Sequence, residues 1–221
     1  MKERIKIIKK KVKNINLTIK QDGTVHLTVP MATTEDFIDG FIESKKDWIE
    51  SKLNYFNERD KKADSVEMIN GQSVRYLGDR YTLKIIQDLN EGVKVCPEYI
   101  EIHVKDSNDK TRKQEILNEW YVKRAKDKFL KLVNKYEEVL NEQVNGIRIK
   151  TMKTRWGSCN VKTKNINLNL ELIKNPQECI EYVVLHELAH LKHPNHSKQF
   201  WEYVGMHMPD WKLRRKKLEQ R

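Results

Sequence analysis

The sequence has few cysteines, whose disulfides hold small secreted folds together, and it has no long apolar run. Its three cysteines, Cys96, Cys159 and Cys179, are widely spaced and form no C-x-x-C pair, which argues against a disulfide framework or a zinc ribbon. No apolar run approaches the roughly 20 residues of a membrane helix. The N-terminus is charged and lacks the apolar stretch of a signal peptide. We therefore expect a cytoplasmic protein with reduced thiols and no membrane partner.

Charge is abundant and unbalanced. Charged residues make up 34% of the 221 residues, and the formal net charge is +11. Basic residues concentrate in residues 6–13 and 212–217, and a basic surface can attract nucleic acid or other polyanions. No helix-turn-helix, zinc-finger or RNA-recognition pattern accompanies them, so a solvated lysine-rich surface is the preferred interpretation. Weak binding of nucleic acid or nucleotide through that surface is the alternative.

The pattern of apolar residues predicts an α+β protein. Alternating runs on both sides of Asp22-Gly23 predict a β-hairpin, and helical spacing over residues 33–58 predicts a helix. Further short strands follow up to residue 104, and a long helix, broken once at most, is predicted over residues 109–142. We expect two domains: a β-rich N-terminal region with one helix, residues 1–105, and a catalytic domain, residues 106–221.

The strongest motif is His186-Glu187-Leu188-Ala189-His190, inside an apolar segment whose cap we expect at Asn175. On a helix, histidines four residues apart share one face and can both bind one zinc ion. Glu187 lies beside that face, where it can take a proton from water instead of binding the metal. A five-residue motif can match by chance, but two histidines and a glutamate are costly in an apolar helix without partners.

A third ligand is predicted from spacing. His196 stands ten residues after His186, which is the spacing of H-E-x-x-H-x-x-G-x-x-H, although His193 occupies the glycine position. His193 itself could lie on the ligand face if the helix continues. Glu202, on the next predicted helix, is the candidate if the site uses two histidines and a carboxylate.

Together with the run Arg155-Trp156-Gly157-Ser158-Cys159 and the alternating strand Ile166–Leu170, the motif through His196 resembles the YgjP-like metallopeptidase family, a relative of the WLM and SprT-like zincins. The resemblance is most specific over residues 145–212. It implies a zincin-like domain in which the H-E-x-x-H helix packs on a small antiparallel sheet. It also implies that the strand at residues 166–170 forms the cleft edge along which a peptide substrate pairs.

The residues suggest a zinc-dependent peptidase mechanism. Zn²⁺ held by three histidines would acidify water, and Glu187 would act as the general base. Arg155 could polarise the substrate carbonyl or bind phosphate, or it could simply pair with a carboxylate. Residues 156–159 are expected to form a tight turn beneath the metal helix, and Cys159 has no visible base that would make it a nucleophile.

Two other functions compete with peptide hydrolysis. One is a metal-dependent nucleoside-triphosphate pyrophosphatase, which the basic composition and Arg155 allow. Against it, phosphate chemistry usually recruits Mg²⁺ through carboxylates, and no acidic cluster is evident. The other is a nucleic-acid-associated SprT-like protein recruited through its basic segments. Steeply salt-dependent binding to DNA would distinguish it from the others.

Overall fold

The computed structural model describes residues 5–19, 23–53 and 67–219. Helices and small sheets combine in it, which confirms the predicted α+β class. The chain divides into two compact units, Met1–Val66 and Glu67–Arg221. The predicted boundary between an N-terminal region and a catalytic domain, at residues 105 and 106, stays a prediction. In the described residues, no helix is both long enough and apolar enough to cross a membrane.

The first unit contains a three-stranded sheet and a helix. The predicted hairpin is confirmed, because β2 and β3 pair antiparallel, while β1 lies parallel to β3 on its other side. The hairpin turn at residues 20–22 lies outside the described residues. Thr34 caps the helix by accepting a hydrogen bond from the backbone N–H of Phe37. These elements are β1 (Ile5–Lys10), β2 (Asn16–Ile19), β3 (Val25–Pro30) and α1 (Glu35–Ser44).

The predicted helix over residues 33–58 is interrupted. It leaves helical geometry at Lys45 and is helical again over residues 46–53, and the remainder of the predicted segment lies outside the described residues. Both parts contribute apolar residues to one core, in which they pack with the apolar residues of the strands. The buried members of that core are Ile5, Val25, Leu27, Val29, Ile38, Ile42 and Ile49.

The second unit begins with a four-stranded sheet of order β4-β5-β7-β6, in which β5 and β7 are parallel. Its first hairpin turns at Leu77 and Gly78, whose φ angles are 50° and 99°. The turn docks on the segment that leads into the motif helix, since Leu77 N–H donates to Ile173 O over 2.9 Å. The strands are β4 (Ser73–Tyr76), β5 (Asp79–Gln87), β6 (Gly92–Val95) and β7 (Tyr99–Val104).

A single unbroken helix, α2 (Lys110–Leu140), confirms the long helix predicted over residues 109–142. Asp109 caps its start by accepting from the backbone N–H of Arg112, and Asn141 ends it in a left-handed conformation. Its apolar stripe is buried, as predicted, and packs against the motif helix. The buried apolar members of the stripe are Ile116, Leu117, Trp120, Tyr121, Ala125, Phe129, Leu132, Val133, Tyr136 and Leu140.

The sheet beside the motif helix is mixed, with antiparallel pairing on one side only. Its order is β8-β10-β9, with β10 parallel to β8 and antiparallel to β9. The strand at residues 166–170 therefore occupies the centre and cannot form the cleft edge, because both of its sides are already paired. The edge next to the motif helix is β9. These strands are β8 (Gly146–Lys150), β9 (Gly157–Asn160) and β10 (Asn165–Asn169).

Three helices complete the unit after a 3₁₀ turn at Leu170–Lys174. They are α3 (Gln177–Ala189), α4 (Lys198–His207) and α5 (Trp211–Glu219). The motif helix α3 begins after Pro176, which occupies the cap position without a side-chain hydrogen bond. Asn175, the expected cap, instead donates its side-chain amide to Glu171 O over 3.1 Å and closes the 3₁₀ turn.

Candidate metal centre

The three predicted histidines converge at the end of α3. His186 lies in the last turn of the helix, and His190 occupies its C-cap position, with their ring centroids 5.0 Å apart. The chain then turns and delivers His196 immediately before α4, whose start is capped by Ser197. One ligand nitrogen from each ring lies within 4.8 Å of the others. His186 Nε2 and His196 Nε2 are 2.9 Å apart.

This donor set fits a zinc ion. Two imidazole lone pairs at 2.9 Å repel unless a proton or a cation lies between them. His190 Nδ1 lies 3.2 Å from the carbonyl oxygen of His193, so a proton on Nδ1 leaves Nε2 as the ligand atom. His186 Nδ1 is buried, and among the described residues it has no hydrogen-bond partner.

Burial keeps His186 and His190 neutral. Loss of solvent, helped by the neighbouring histidines, lowers the pKa of His186 to about 3. The pKa of His190 is also lowered, chiefly by burial. A neutral imidazole is the form that binds a metal, so the site does not need to lose protons from these two rings near neutral pH.

Two aromatic residues of α4 hold the rings in place. Phe200 is fully buried and stacks on His190, with ring centroids 4.7 Å apart and planes at 27°. It also meets the rings of His186 and His196 edge-on. Trp201 stacks on His196 at 5.4 Å and 17°. Helical spacing can indicate that Phe200 and Trp201 pack inward, but it does not reveal that they contact the three histidine rings.

Glu187 is buried beside the histidines, with 6% of its surface exposed. Burial raises its pKa to about 8, and the positive charge of Arg155 acts in the opposite direction. The carboxyl group lies against Gly157: a Cβ atom on Gly157 would be 2.6 Å from Glu187 Oε1. The prediction of a tight turn at residues 156–159 is wrong, because Gly157 begins strand β9. The missing side chain of Gly157 makes room for Glu187 and does not serve to turn the chain.

A residue that sequence reasoning did not single out holds the loop before β9. Asn169 is buried, and its side-chain amide donates to Met152 O over 2.7 Å and to Arg155 O over 2.9 Å. Its backbone N–H donates to Trp156 O over 2.9 Å. The available signal was its place as the last asparagine of the alternating strand. Asn169 thus fixes the backbone that carries Arg155, which is itself exposed on the cavity wall.

The other candidate ligands lie elsewhere. Glu202 is 60% exposed and pairs with Lys198 over 3.6 Å. His193 contributes its carbonyl oxygen to His190, and its ring lies against Tyr203. Among the described residues, the cluster whose ligand atoms could share one metal ion contains neither of them. Cys159 lines the cavity, but burial raises the pKa of its thiol to about 11, which disfavours the nucleophilic thiolate.

The site opens into a cavity of about 710 Å³. One wall is formed by the loop and strand at residues 155–161, and another wall is formed by α5 with Trp201. The two walls carry one arginine each. Besides Glu187 and the three histidines, the residues that line the cavity include Arg155, Gly157, Cys159, Tyr182, Trp201, Arg215, Leu218 and Glu219.

Comparisons with known proteins place the chain in a family. The sequence model of a family described as "YgjP-like, metallopeptidase domain" matches residues 13–221. An uncharacterized protein of Methanocaldococcus jannaschii is 41% identical over 64 residues, which are 28% of this chain and 57% of that protein. The chain thus spans little more than half the length of this curated relative.

Two solved structures are also similar to part of the chain. The metallopeptidase zymogen jannalysin of Methanocaldococcus jannaschii is 31% identical, with a TM-score of 0.38, over 42% of this chain and 88% of that one. The metallopeptidase zymogen abylysin of Pyrococcus abyssi is 29% identical, with a TM-score of 0.33, over 35% of this chain and 76% of that one.

Proposed function

Since the chain belongs to the YgjP-like metallopeptidase family, we propose that it is a zinc-dependent peptidase whose metal is held by His186, His190 and His196. The observation that carries the proposal is the convergence of the three imidazoles beside a buried glutamate. Their ligand nitrogens lie within 4.8 Å of one another. A catalytic zinc site usually has three protein ligands, three histidines being one such set, and keeps a fourth position open.

Glu187 is the general base of the proposed mechanism. When bound, zinc supplies Lewis acidity, lowering the pKa of water and, by its charge, that of the nearby carboxyl group. Glu187 then takes a proton from the attacking water and returns it to the leaving amine. Without metal, the pKa of Glu187 is about 8, which is close to neutral pH. A modest lowering of this pKa makes Glu187 a base that can also return the proton.

Arg155 is proposed to stabilise the substrate. It stands on the cavity wall next to Gly157, and its charge reaches Glu187. A guanidinium there can donate hydrogen bonds to the oxygen of the scissile carbonyl as negative charge develops on it. Asn169 supports this role by fixing the carbonyl oxygen of Arg155 and hence the local backbone.

An extended peptide is the substrate that suits the cavity. Strand β9 is an edge strand, and three of its residues line the cavity beside the histidines. Edge strands bind extended peptides by adding them to the sheet through backbone hydrogen bonds. We therefore place the peptide along β9, which replaces the strand at residues 166–170 in that role.

The phosphoanhydride and nucleic-acid alternatives have less support. The basic residues of the last helix are largely paired: Arg214 binds Asp210 and Glu181, Arg215 binds Glu219, and Lys217 binds Glu178. Such pairing reduces the charge available to phosphate groups. In the described residues, the cavity acids are Glu187 and Glu219, which do not form the carboxylate cluster that usually holds Mg²⁺.

A peptide library tests the proposal. Zinc-loaded wild-type protein and the Glu187→Gln variant are incubated with a mixture of peptides, and cleavage is read by mass spectrometry. Loss of general-base catalysis is expected to reduce the rate roughly 10²–10⁴-fold while zinc content is retained. Unreduced cleavage by the variant would refute the role of Glu187. No cleavage of any peptide by the wild type, with hydrolysis of nucleoside triphosphates instead, would refute the peptidase assignment.

A further inference from the structure

The cavity wall formed by α5 carries an arginine that the catalytic mechanism does not use. Arg215 lies on α5, whose Leu218 is buried at 4% exposure, and both residues line the cavity. Tyr182, one turn before His186 on α3, lines the same region. This part of the cavity therefore combines apolar surface with one guanidinium group, within the chamber that holds the histidines.

Arg215 is held in position before any ligand arrives. Its Nε donates to Glu219 Oε1 over 2.8 Å, and its guanidinium carbon lies 5.5 Å from the ring centroid of Trp201. Trp201 in turn stacks on His196 on the site side and on Trp211, at 4.4 Å and 15°. A guanidinium group fixed over an aromatic ring loses little freedom when it binds an acceptor. The arginine is thus positioned through the same indole that supports the third histidine.

The hydrogen-bonding groups of Arg215 are only partly used. Arg215 forms its ion pair with Glu219 through Nε. In the described part of the chain, Glu219 is its one acidic partner. The two terminal amino groups are therefore available for a second acceptor. Its side chain is 45% exposed, so a ligand can reach it.

A carboxylate is the acceptor that suits this part of the cavity. Two arginines, Arg155 and Arg215, share the cavity with two glutamates, Glu187 and Glu219. The positive charge of Arg215 reaches the histidine cluster, where it adds to burial in lowering the pKa of His186. A carboxylate matches one guanidinium fork with its two oxygens, and it is the anionic group that a peptide itself carries. The neighbouring apolar side chains suit the methylene groups that carry a carboxylate.

We propose that Arg215 binds a carboxylate of the peptide substrate and so makes the enzyme selective for peptides that place a carboxylate beside α5. This inference depends on the proposed peptidase function and names its substrate class. The carboxylate belongs either to an aspartate or glutamate side chain or to the C-terminus of the peptide. Both sources present the same planar acceptor to the guanidinium group.

The test uses binding without turnover. A peptide that the wild type cleaves is synthesised with Glu or Gln at each position near the scissile bond in turn, and each version carries a free or an amidated C-terminus. Affinity for the zinc-loaded Glu187→Gln variant is measured by tryptophan fluorescence. A charge-assisted hydrogen bond predicts that the carboxylate-bearing member of one pair binds about tenfold tighter or more. The pair that shows the difference identifies the source of the carboxylate.

Substitution of Arg215 completes the test. Arg215→Gln in the same background is expected to abolish the preference, Arg215→Lys to restore part of it, and Lys216→Gln, on the same helix outside the cavity, to leave it unchanged. Equal affinity for all pairs, or a preference that survives Arg215→Gln, would overturn the proposal. So would an equal loss for every peptide, which indicates a purely structural role, or tighter binding of a phosphoserine peptide. Absence of any cleavable peptide would instead mean that the proposed function itself has failed.

Discussion

Gly157 and Glu187 are in direct contact, and the contact leaves no room for a side chain on the glycine. A Cβ atom at Gly157 would lie 2.6 Å from both Cγ and Oε1 of Glu187. Glu187 is buried and cannot swing into solvent to relieve such a clash. The first residue of the edge strand therefore sets the position of the proposed general base, and it does so without touching the three histidines.

Gly157→Ala is expected to separate catalysis from metal binding. The added methyl group displaces the Glu187 carboxylate, and a displacement of about 1 Å in a catalytic group can cost roughly 10²-fold in rate. Zinc content, measured by elemental analysis, should remain that of the wild type. Gly92→Ala is the matched control, because a Cβ atom there meets nothing within 4 Å. Wild-type peptide cleavage by the Gly157 variant would contradict the account of this contact.

A second glycine positions the motif helix from a distance in sequence. Gly78 has a φ of +99°, and a Cβ atom on it would lie 2.9 Å from the Cα atom of Pro176. Gly78→Ala is expected to lower the free energy of unfolding by roughly 1–3 kcal/mol, measured by urea denaturation. Gly71→Ala isolates the clash, because Gly71 has a φ of +85° but open space around it. Equal losses in the two variants would mean that contact with Pro176 contributes nothing.

The metal-free protein should lose stability in mild acid because of His186. Its pKa is about 3 in the folded protein and near 6.5 when unfolded, so between these values the unfolded state binds the additional proton. The stability that the neutral His186 ring contributes is fully present above pH 6.5 and is lost as the pH falls toward 3. The free energy of unfolding in a chelator should thus fall by up to about 1.4 kcal/mol per pH unit more steeply than in His186→Gln.

The comparison between wild type and variant removes the contributions of all other groups. Urea denaturation at pH 7, 6 and 5 is sufficient to define both slopes. His190, whose pKa is also lowered by burial, remains in both proteins and contributes equally. Parallel slopes would show that His186 is not buried as described.

Local sequence signals predicted that the three histidines converge. The four-residue spacing of His186 and His190 is a property of a single helix, and His196 follows from a short turn whose length is visible in the sequence. Ring convergence of these three residues is what the spacing predicted. The long helix was predicted for the same reason, since its buried stripe repeats within one element.

The failed predictions about the strands around the site depend on contacts between distant segments. The strand at residues 166–170 has the alternation of a half-exposed strand, but its neighbours β8 and β9 cover both of its edges. Nothing local distinguishes a glycine that turns the chain from Gly157, which admits a carboxylate from another element. Arg215 reaches the cavity only because α5 packs against α3, a contact that no sequence period encodes.

The central claim is that His186, His190 and His196 bind one zinc ion, and metal content tests it most directly. Wild type, His196→Ala and Glu202→Ala are purified without added metal and analysed for bound elements. We predict about one zinc per chain in wild type and in Glu202→Ala, and a loss of most of the zinc in His196→Ala, because three protein ligands define this class of site. Zinc retained in His196→Ala but lost in Glu202→Ala would contradict the three-histidine site.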